Sequence, residues 1–370
     1  MLMLKREPEL ELSISMTQKG KTNHYNVKFL KGYGFSISVK DSKIILKNTS
    51  DPFKEPEVEE WFVNNMPYEK IVMSGKGYVS TEALSLLSQY HRNLILVDTY
   101  GRATTYLNPV TESLTNTRYR IGQYDTFRDK EKSSYLSRQI LKAKLDSQIN
   151  FLKSTNKPEL NHGISQTQSI RNSINEQSNL LSLENTSSKI YFREFRKLIP
   201  EKYEFYSRNQ SFIRQTKNNA TDLINALLNY GYAVLAGEIS KFINGIGLDA
   251  YYGFHHKTHS GFQPLVYDMI EPFRWLVDYS VWKLTEAHTK GISKKSYGRT
   301  KNGNIVMDYL LIKRFLELLE RTFQKERRYD FRHGMKTCDG LKSCQEITIG
   351  KIAVQNLADF CISNSKEFEI

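Results

Sequence analysis

A histidine pair and two carboxylates lie close together in one short segment of the chain. His255 and His256 come first, and Asp268 and Glu271 follow three residues apart in an apolar stretch that ends at Pro272. A helix begun near Asp268 would place both carboxylates on one face, where they could hold a hard divalent cation. Proline is disfavoured beyond a first turn, so we expect the acids near a helix start. The pattern predicts half of a metal site, although such acids usually form a solvated face and such histidines are usually structural.

Charge and composition indicate a folded protein that binds nucleic acid. The 370-residue chain carries 53 Lys and Arg against 40 Asp and Glu, a formal net charge of +13, spread along its whole length. This positive potential favours nucleic acid as partner, with a membrane surface as the alternative. No apolar run approaches the roughly 18 residues of a spanning helix. Lys5 and Arg6 interrupt the apolar start, so no signal peptide is predicted and we expect a cytoplasmic protein.

Disulfide, zinc and nucleotide-hydrolysis chemistry are disfavoured. An odd number of cysteines, Cys338, Cys344 and Cys361, in a chain of this length fits a reducing compartment. The spacing of the first two is too wide for a zinc knuckle. Residues 20–22 resemble the end of a phosphate-binding loop, but Ser15 stands where its first glycine is required.

The first hundred residues predict a β-rich unit. Residues 35–39 and 43–47 alternate or run apolar around a polar turn, which predicts a hairpin. Ser80 is a good N-cap for a helix over 81–90. A turn is predicted at 74–77, and further strands at 70–73, 93–98 and 104–107.

Beyond about residue 112, apolar residues recur at helical spacing. Helices are predicted over 130–152, from 179 onwards, and over 222–243, 306–328 and 345–362. The chain therefore predicts an α+β fold, in which a β-rich domain over 1–111 precedes a larger all-α domain over 112–370.

Two details of the helical half are also expectations. The polar stretch 154–177 is predicted to be a loop or a poorly ordered excursion. Thr221 is the predicted cap of the following helix, in which Gly231 and Gly237 favour close approach by another helix.

Four motifs occur in an order that one protein family uses. They are residues 225–233, with an Asn-Tyr-Gly-Tyr core, and residues 247–249, 253–256 and 265–274. In these blocks the chain resembles the CRISPR adaptation integrase family, called Cas one. Residues 32–34 and 79–84 extend the likeness to most of the chain. The resemblance implies that the β-rich domain dimerises and that the helical domain carries catalysis and DNA binding.

The family's metal site combines a glutamate, a histidine and a second carboxylate. The resemblance assigns the glutamate to Glu184, although the family's flanking glycines and Ala-Arg pair are absent. Glu238 is the fallback, but a surface ion pair explains it better. His256 matches the histidine. Glu271 matches the second carboxylate, and Asp268 matches a neighbouring acid that supports or joins it.

Two further histidines are weaker candidates for the metal site. His255 replaces the family's usual leucine and is expected to pack or to support the site. His259 falls in a variable loop, where solvent exposure is expected. The implied catalytic residues are Glu184, His256, Asp268 and Glu271, and the implied ligands of Mg²⁺ or Mn²⁺ are Glu184, His256 and Glu271.

The implied activity is metal-dependent DNA integration and endonucleolytic cleavage. The 3′-hydroxyl of a short DNA fragment would attack a phosphodiester at the border of a CRISPR repeat, with the metal ion as Lewis acid and template. The implied partners are double-stranded DNA, a second copy of the chain and a dimer of the small protein called Cas two. No membrane partner is expected.

Two basic clusters and one tyrosine are candidate DNA contacts. Tyr267 could position a strand end, although an aromatic residue there is more often part of the core. The favoured cluster is a predicted loop, and the second is a predicted helix end that would also stabilise its own helix dipole. The loop contains Lys294, Lys295, Arg299 and Lys301, and the helix end contains Lys325, Arg327 and Arg328.

Two other functions are also compatible with the sequence. A casposase, a transposon-borne relative that joins transposon ends to target DNA, would use the same catalytic residues. Casposases usually carry extra C-terminal DNA-binding sequence, and this chain ends soon after the 345–362 helix, which favours the CRISPR role. Alternatively, the altered surroundings of Glu184 would fit a DNA-binding scaffold whose metal site has decayed.

Overall fold

The protein is described by a computed structural model covering residues 27–49, 55–98, 103–107, 116–208, 220–256, 263–286, 292–330, 341–363 and 367–368. A sheet is followed by a mostly helical region, which confirms the predicted α+β class. The proposed boundary near residue 111 lies outside the described residues, so the division into two domains stays a prediction.

A six-stranded mixed sheet forms the N-terminal part. Its strands are β1 Val27–Lys40, β2 Lys43–Asn48, β3 Glu57–Trp61, β4 Lys70–Val79, β5 Asn93–Val97 and β6 Ala103–Leu107. Their order in the sheet is β3-β2-β1-β4-β5-β6. The central strands β1, β4 and β5 run parallel, and the outer strands pair antiparallel to their neighbours.

Glycine and turn residues set the strand geometry. Asp41 and Ser42 have φ angles of 50° and 61°, which is the conformation that a tight two-residue hairpin requires, so the predicted hairpin is confirmed. The turn predicted at 74–77 is wrong, because β4 continues through it. A Cβ on Gly75 would lie 2.2 Å from the carbonyl oxygen of Gly32. These glycines therefore permit close approach of β1 and β4 rather than a reversal of the chain.

The helical region contains nine of the ten α-helices in the described residues. These ten are α1 Thr81–Gln89, α2 Asn116–Arg128, α3 Lys130–Ser154, α4 Asn161–Ser173, α5 Leu180–Leu198, α6 Leu223–Ile246, α7 Pro264–Ile270, α8 Arg274–Glu286, α9 Tyr309–Gln324 and α10 Glu346–Ile362. As predicted, Ser80 caps α1, accepting a hydrogen bond from the amide of Ala83 at 3.1 Å.

The predicted loop at 154–177 is wrong, because most of it is helix α4. Gly163, Ile164 and Thr167 are buried on the face that α4 presents to α3 and α5. A Cβ on Gly163 would lie 2.2 Å from the side chain of Glu194 on α5. Packing between helices thus stabilises a segment whose polar composition does not favour a helix by itself.

Helix α6 runs through the middle of the helical region. Its N-cap is Asp222 rather than the predicted Thr221. A Cβ on Gly231 would meet a valine of α8 at 2.3 Å, so the predicted close approach of a helix is confirmed there. Gly237 faces β5 instead, so its small size serves packing on the sheet.

The predicted all-α domain also contains two small hairpins. The helix expected over 306–328 is shortened to α9, and its two ends belong to strands. The extra strands are β7 Tyr297–Arg299 with β8 Ile305–Met307, and β9 Glu326–Asp330 with β10 Leu341–Gln345. Arg327 and Arg328 therefore lie on a strand, not at a helix end.

The sheet is joined to the helices by apolar and by charged contacts. One face contributes Val27, Phe29, Val72, Ile95 and Val97 to the same core as the helices. The other face packs on α1. Within the described ranges, none of the helices combines the length and apolar character needed to cross a membrane.

A buried ion-pair triad lies at this junction. Lys70 of β4 places its ammonium 3.1 Å from Glu238 of α6 and 2.6 Å from Glu320 of α9. Glu238 does form an ion pair, but the predicted surface location is wrong, since its side chain is 5% exposed. Burial raises the pKa of Glu238, and the lysines 70 and 241 outweigh that effect and lower it to about 2.

Candidate active site

Four parts of the helical region bring the candidate residues together. Helix α5 supplies Glu184 and the segment 253–256 supplies the two histidines. Helix α7 supplies Asp268, and the 3-10 turn that follows it begins with Glu271. Asp268 lies in the last turn of α7, so the expectation that both acids sit at a helix start is wrong. Proline 264 opens α7, and the second proline, at 272, ends it as predicted.

Asp268 is the fully buried acid that shapes the histidine segment. Its carboxylate accepts hydrogen bonds from the backbone amides of Phe254 at 2.8 Å, His255 at 3.1 Å and His256 at 2.9 Å. The same carboxylate lies 2.6 Å from Nδ1 of His256. Contact at Nδ1 fixes the ring so that Nε2 is the nitrogen suited to a ligand. Asp268 therefore supports the site through the histidine.

The surroundings of His256 favour its charged form. Burial lowers the pKa of His256, and the hydrogen bond and charge of Asp268, with Glu271 and Glu184 nearby, outweigh burial and raise it. Those interactions also show that the histidine and both glutamates share one electrostatic environment. A cation that binds there would replace the proton.

Lys144 of α3 lies between the two glutamates. Its ammonium is 2.7 Å from Oε1 of Glu184 and 2.7 Å from Oε2 of Glu271. Burial lowers the pKa of Lys144, but the two carboxylates raise it more strongly, so the side chain is an ammonium ion. Burial raises the pKa of Glu271, while Arg274 and Lys144 lower it to about 2. The structure thus brings Glu184 and Glu271 together, as the resemblance implied.

His255 has a more specific role than packing. Its Nε2 lies 3.1 Å from Oε2 of Glu184. Burial raises the pKa of Glu184, but His255 and Lys144 together hold it well below its usual range. His255 therefore orients the acid whose sequence surroundings depart most from the family pattern. His259 lies outside the described residues.

Arg274 links the site to the Asn-Tyr-Gly-Tyr motif. It donates a hydrogen bond to Oε1 of Glu271 at 2.7 Å, and its guanidinium lies 4.1 Å from the ring centre of Tyr232. The hydroxyl of Tyr232 in turn donates to the buried Asp278. A stacked guanidinium has a fixed orientation, so Glu271 is held through Arg274 with Oε2 directed at Lys144.

Gln123 of α2 holds the chain that leads into the histidines. Its buried amide donates to the carbonyls of Asp249 at 2.9 Å and Tyr252 at 2.8 Å, and accepts from the amide of Asp249 at 2.8 Å. Sequence reasoning missed this residue as well as Lys144. Neither has a local signal, because a polar residue on a charged helix resembles an exposed one.

The donor set fits a hard divalent cation. Two carboxylates and one imidazole are the ligands that Mg²⁺ or Mn²⁺ accepts. Oε2 of Glu271 is buried and lies 2.7 Å from the ammonium of Lys144. In the part of the chain that is described, no three His, Cys, Asp or Glu side chains form a ready-made metal cluster. The ammonium of Lys144 stands between two of the candidate ligands.

A family model described as CRISPR associated protein Cas1 matches residues 29–321. The chain belongs to the Cas1 family. The predicted family is therefore confirmed. Among curated Cas1 proteins, CRISPR-associated protein Cas1 3 of Methanobrevibacter ruminantium is 29% identical over 297 residues, covering 75% of this chain and 83% of that protein. CRISPR-associated endonuclease Cas1 1 of Archaeoglobus fulgidus is 28% identical over 273 residues, covering 68% and 76%.

Solved structures share the Cas1 fold. A casposase bound to integration product matches with a TM-score of 0.78 and 25% identity, over 93% of this chain and 92% of that one. The chain of a Cas6-RT-Cas1–Cas2 complex matches with a TM-score of 0.69 and 17% identity, over 93% of this chain and 36% of that one.

The candidate DNA-binding side chains of this Cas1 chain differ in how exposed they are and in whether they form ion pairs. Lys295 and Lys301 are exposed around the β7–β8 hairpin, and Arg299 pairs with the exposed Glu204 at 3.3 Å. Lys294 begins a 3-10 turn, and its side chain lies outside the described residues. The predicted loop is thus a turn and hairpin that presents several cations.

The second basic cluster and the candidate tyrosine are more enclosed. Arg327 pairs at 3.0 Å with Glu346, whose side chain is 3% exposed. Arg327 therefore compensates the buried negative charge of Glu346. Arg328 is exposed on β9, and the half-buried Lys325 lies 5.6 Å from the ring centre of Tyr279. Tyr267 is half-buried at the edge of the core.

Proposed function

We propose that this protein is a metal-dependent DNA integrase and endonuclease of CRISPR adaptation, which inserts short DNA fragments at a repeat. The observation that carries the proposal is the convergence of Glu184 and Glu271 on one ammonium, in the electrostatic environment of His256. Four separate parts of the chain supply these groups. An arrangement of ligands built from distant parts of the chain is typical of a site held for chemistry.

The reaction is a phosphodiester exchange that needs no nucleotide. The 3′-hydroxyl of the fragment gives up its proton and attacks the phosphorus of the repeat border. A new P–O bond forms, the bond from phosphorus to the 3′-oxygen of the repeat breaks, and that oxygen takes up a proton. Glu184, His256 and Glu271 would hold Mg²⁺ or Mn²⁺, which would supply the Lewis acid and the template. Asp268 orients His256, and Arg274 holds Glu271 in place.

The proposed partners are double-stranded DNA, a second copy of this chain and a dimer of Cas2. The net charge of +13 supports DNA, because phosphate contacts draw on such potential. Two related structures add support by what they contain, a casposase with an integration product and a Cas1–Cas2 assembly.

A casposase-like integrase is the second candidate. The casposase match extends over nearly the whole of both chains, and it supports a shared strand-transfer chemistry. A decayed scaffold is the third candidate, and it is disfavoured because Glu184 keeps two specific partners, Lys144 and His255.

The test is strand transfer of a labelled short duplex into supercoiled plasmids with and without a CRISPR repeat, in Mg²⁺ or Mn²⁺, with Cas2. We expect metal-dependent joining at the repeat, and loss of joining in Glu184→Ala, His256→Ala and Glu271→Ala. Glu176→Ala, which changes an exposed acid, is the matched control and should stay active. Joining that requires transposon ends and ignores the repeat would indicate the casposase role. If the wild type binds DNA but does not join it, the result would support the hypothesis of a DNA-binding scaffold.

A further inference from the structure

Lys144 occupies an unusual position for a lysine. Its side chain is 8% exposed, and its ammonium lies 2.7 Å from a carboxylate oxygen of Glu184 and 2.7 Å from one of Glu271. Lysine is rarely buried unless its charge is paired. Here the pairing is with the two acids that the proposed function assigns to a metal ion.

The two glutamates depend on a cation between them. Without one, the half-buried carboxylate of Glu184 and the buried one of Glu271 would repel each other, and one would be protonated or turn away. His255 and Arg274 each contact the far oxygen of one acid, Glu184 and Glu271 respectively. Lys144 alone bridges the near oxygens among the described residues.

The bridge has the same length on its two sides. The ammonium lies 2.7 Å from Oε1 of Glu184 and 2.7 Å from Oε2 of Glu271. A single ammonium thus offers one positive charge to two carboxylates. A divalent cation at the same point would bind both oxygens.

We propose that Lys144 holds the place of the metal ion. Its ammonium keeps Glu184 and Glu271 facing each other in the metal-free protein, and it withdraws when a divalent cation binds between them. The inference rests on the proposed function, since it concerns the same acids. It makes Lys144 a positioning residue that competes with the ion.

The proposal predicts opposite effects on stability and on metal affinity in Lys144→Met. The metal-free variant should melt about 5 °C lower, because a buried and a half-buried carboxylate lose their shared counterion. The variant should bind Mn²⁺ about tenfold more tightly, because the ion no longer displaces a nearby positive charge. A purely structural lysine would weaken both properties.

Electron paramagnetic resonance measures Mn²⁺ affinity, and thermal unfolding with and without Mn²⁺ measures stability. Both are applied to the wild type, Lys144→Met and Lys142→Met. Lys142 is half-buried on the same helix, and its variant should behave as wild type. Equal or weaker Mn²⁺ affinity in Lys144→Met would overturn the inference while leaving the proposed function intact. A wild type that binds no Mn²⁺ would overturn the proposed function itself.

A second measurement uses the wild type, in case the variant does not fold. Reductive methylation with mass spectrometry reports which lysines are accessible. Lys144 should be protected without metal and should react several-fold faster at saturating Mg²⁺, while Lys142 is unchanged. Protection of Lys144 that is the same with and without bound Mg²⁺ would overturn the inference.

Discussion

At the scale of single residues, Asp268 is the most constrained acid of the site. Three backbone amides and one imidazole nitrogen surround its carboxylate. A Cβ on Gly253 would lie 2.6 Å from the same carboxylate, so the motif's glycine leaves room for it. The residue therefore holds the backbone of the histidine segment as well as a side chain.

Asp268→Asn tests this double role. An amide offers one acceptor where the carboxylate offers two, so at least one backbone amide faces an amino group. We expect a loss of about 2 to 4 kcal/mol in the free energy of unfolding, together with loss of strand transfer. Denaturant unfolding and the plasmid assay measure the two effects. Asp125→Asn, on the exposed side of α2, should change neither, and a fully stable Asp268→Asn would contradict the assignment.

The residue identities were only partly predictable from the sequence. His256 and Glu271 lie in blocks that resemble the family closely, and the structure places both in the site. Glu184 was assigned by alignment of a weak motif, and the structure brings it to the same place. Lys144 could not be found, because nothing in a charged helix distinguishes a lysine that faces the interior.

At the scale of elements, the pairing of β1 with β4 depends on glycine. Gly75 has φ +119°, and a Cβ there would collide with backbone, whereas Gly34 has φ +81° and open space. We expect Gly75→Ala to cost at least about 3 kcal/mol and Gly34→Ala about 1 kcal/mol. Urea unfolding of both variants gives the comparison. Equal costs would show that backbone conformation alone, and not strand contact, selects the glycine.

Three hydrogen bonds of Gln123 connect α2 to the segment that leads into the histidines. Gln123→Met keeps the volume but leaves three backbone hydrogen-bonding groups without their partner. We expect a loss of about 2 to 3 kcal/mol in stability and a reduced rate of strand transfer with DNA affinity unchanged. Gln139→Met on α3 is the control. A variant as active as wild type would show that the segment is held without α2.

Helices and strands were predicted well where the hydrophobic periodicity is strong. They were predicted poorly where packing against other parts of the protein decides the secondary structure. The hairpin, α1, α3 and α10 carry clear patterns and clear ends, and they were found. Helix α4 was missed because its helical state depends on α3 and α5. The ends of α9 were misassigned because strand pairing, which no local pattern shows, continues the chain on both sides.

At the scale of the whole molecule, charge couples the sheet to the helices. Lys70→Met would leave Glu238 and Glu320 buried without their shared counterion. We expect a loss of about 3 to 5 kcal/mol, measured by guanidinium unfolding. Lys241→Met removes a more exposed partner of Glu238, 26% exposed, and should cost less than about 1 kcal/mol. A similar small loss in both variants would mean that the triad is dispensable.

If this protein binds DNA as proposed, its positive charge makes that binding weaken as salt is added. Replacing Lys295 and Lys301 by alanine should make the plot of log affinity against log salt shallower by about 2. Fluorescence anisotropy with a short duplex at several salt concentrations measures the slope. The exposed pair Lys153 and Lys351 is the control. An equal change in both pairs would argue for diffuse attraction rather than contact at the β7–β8 hairpin.

The junction of sheet and helices has a consequence for synthesis on the ribosome. Glu320 follows Lys70 by 250 residues. At about 5 to 20 residues per second, translation needs roughly 12 to 50 s to cover that distance. Until the end of this time the sheet lacks helix α9 and at least one of the two acids that neutralise its lysine. We therefore expect the nascent N-terminal part to be a client of chaperones until most of the chain has been made.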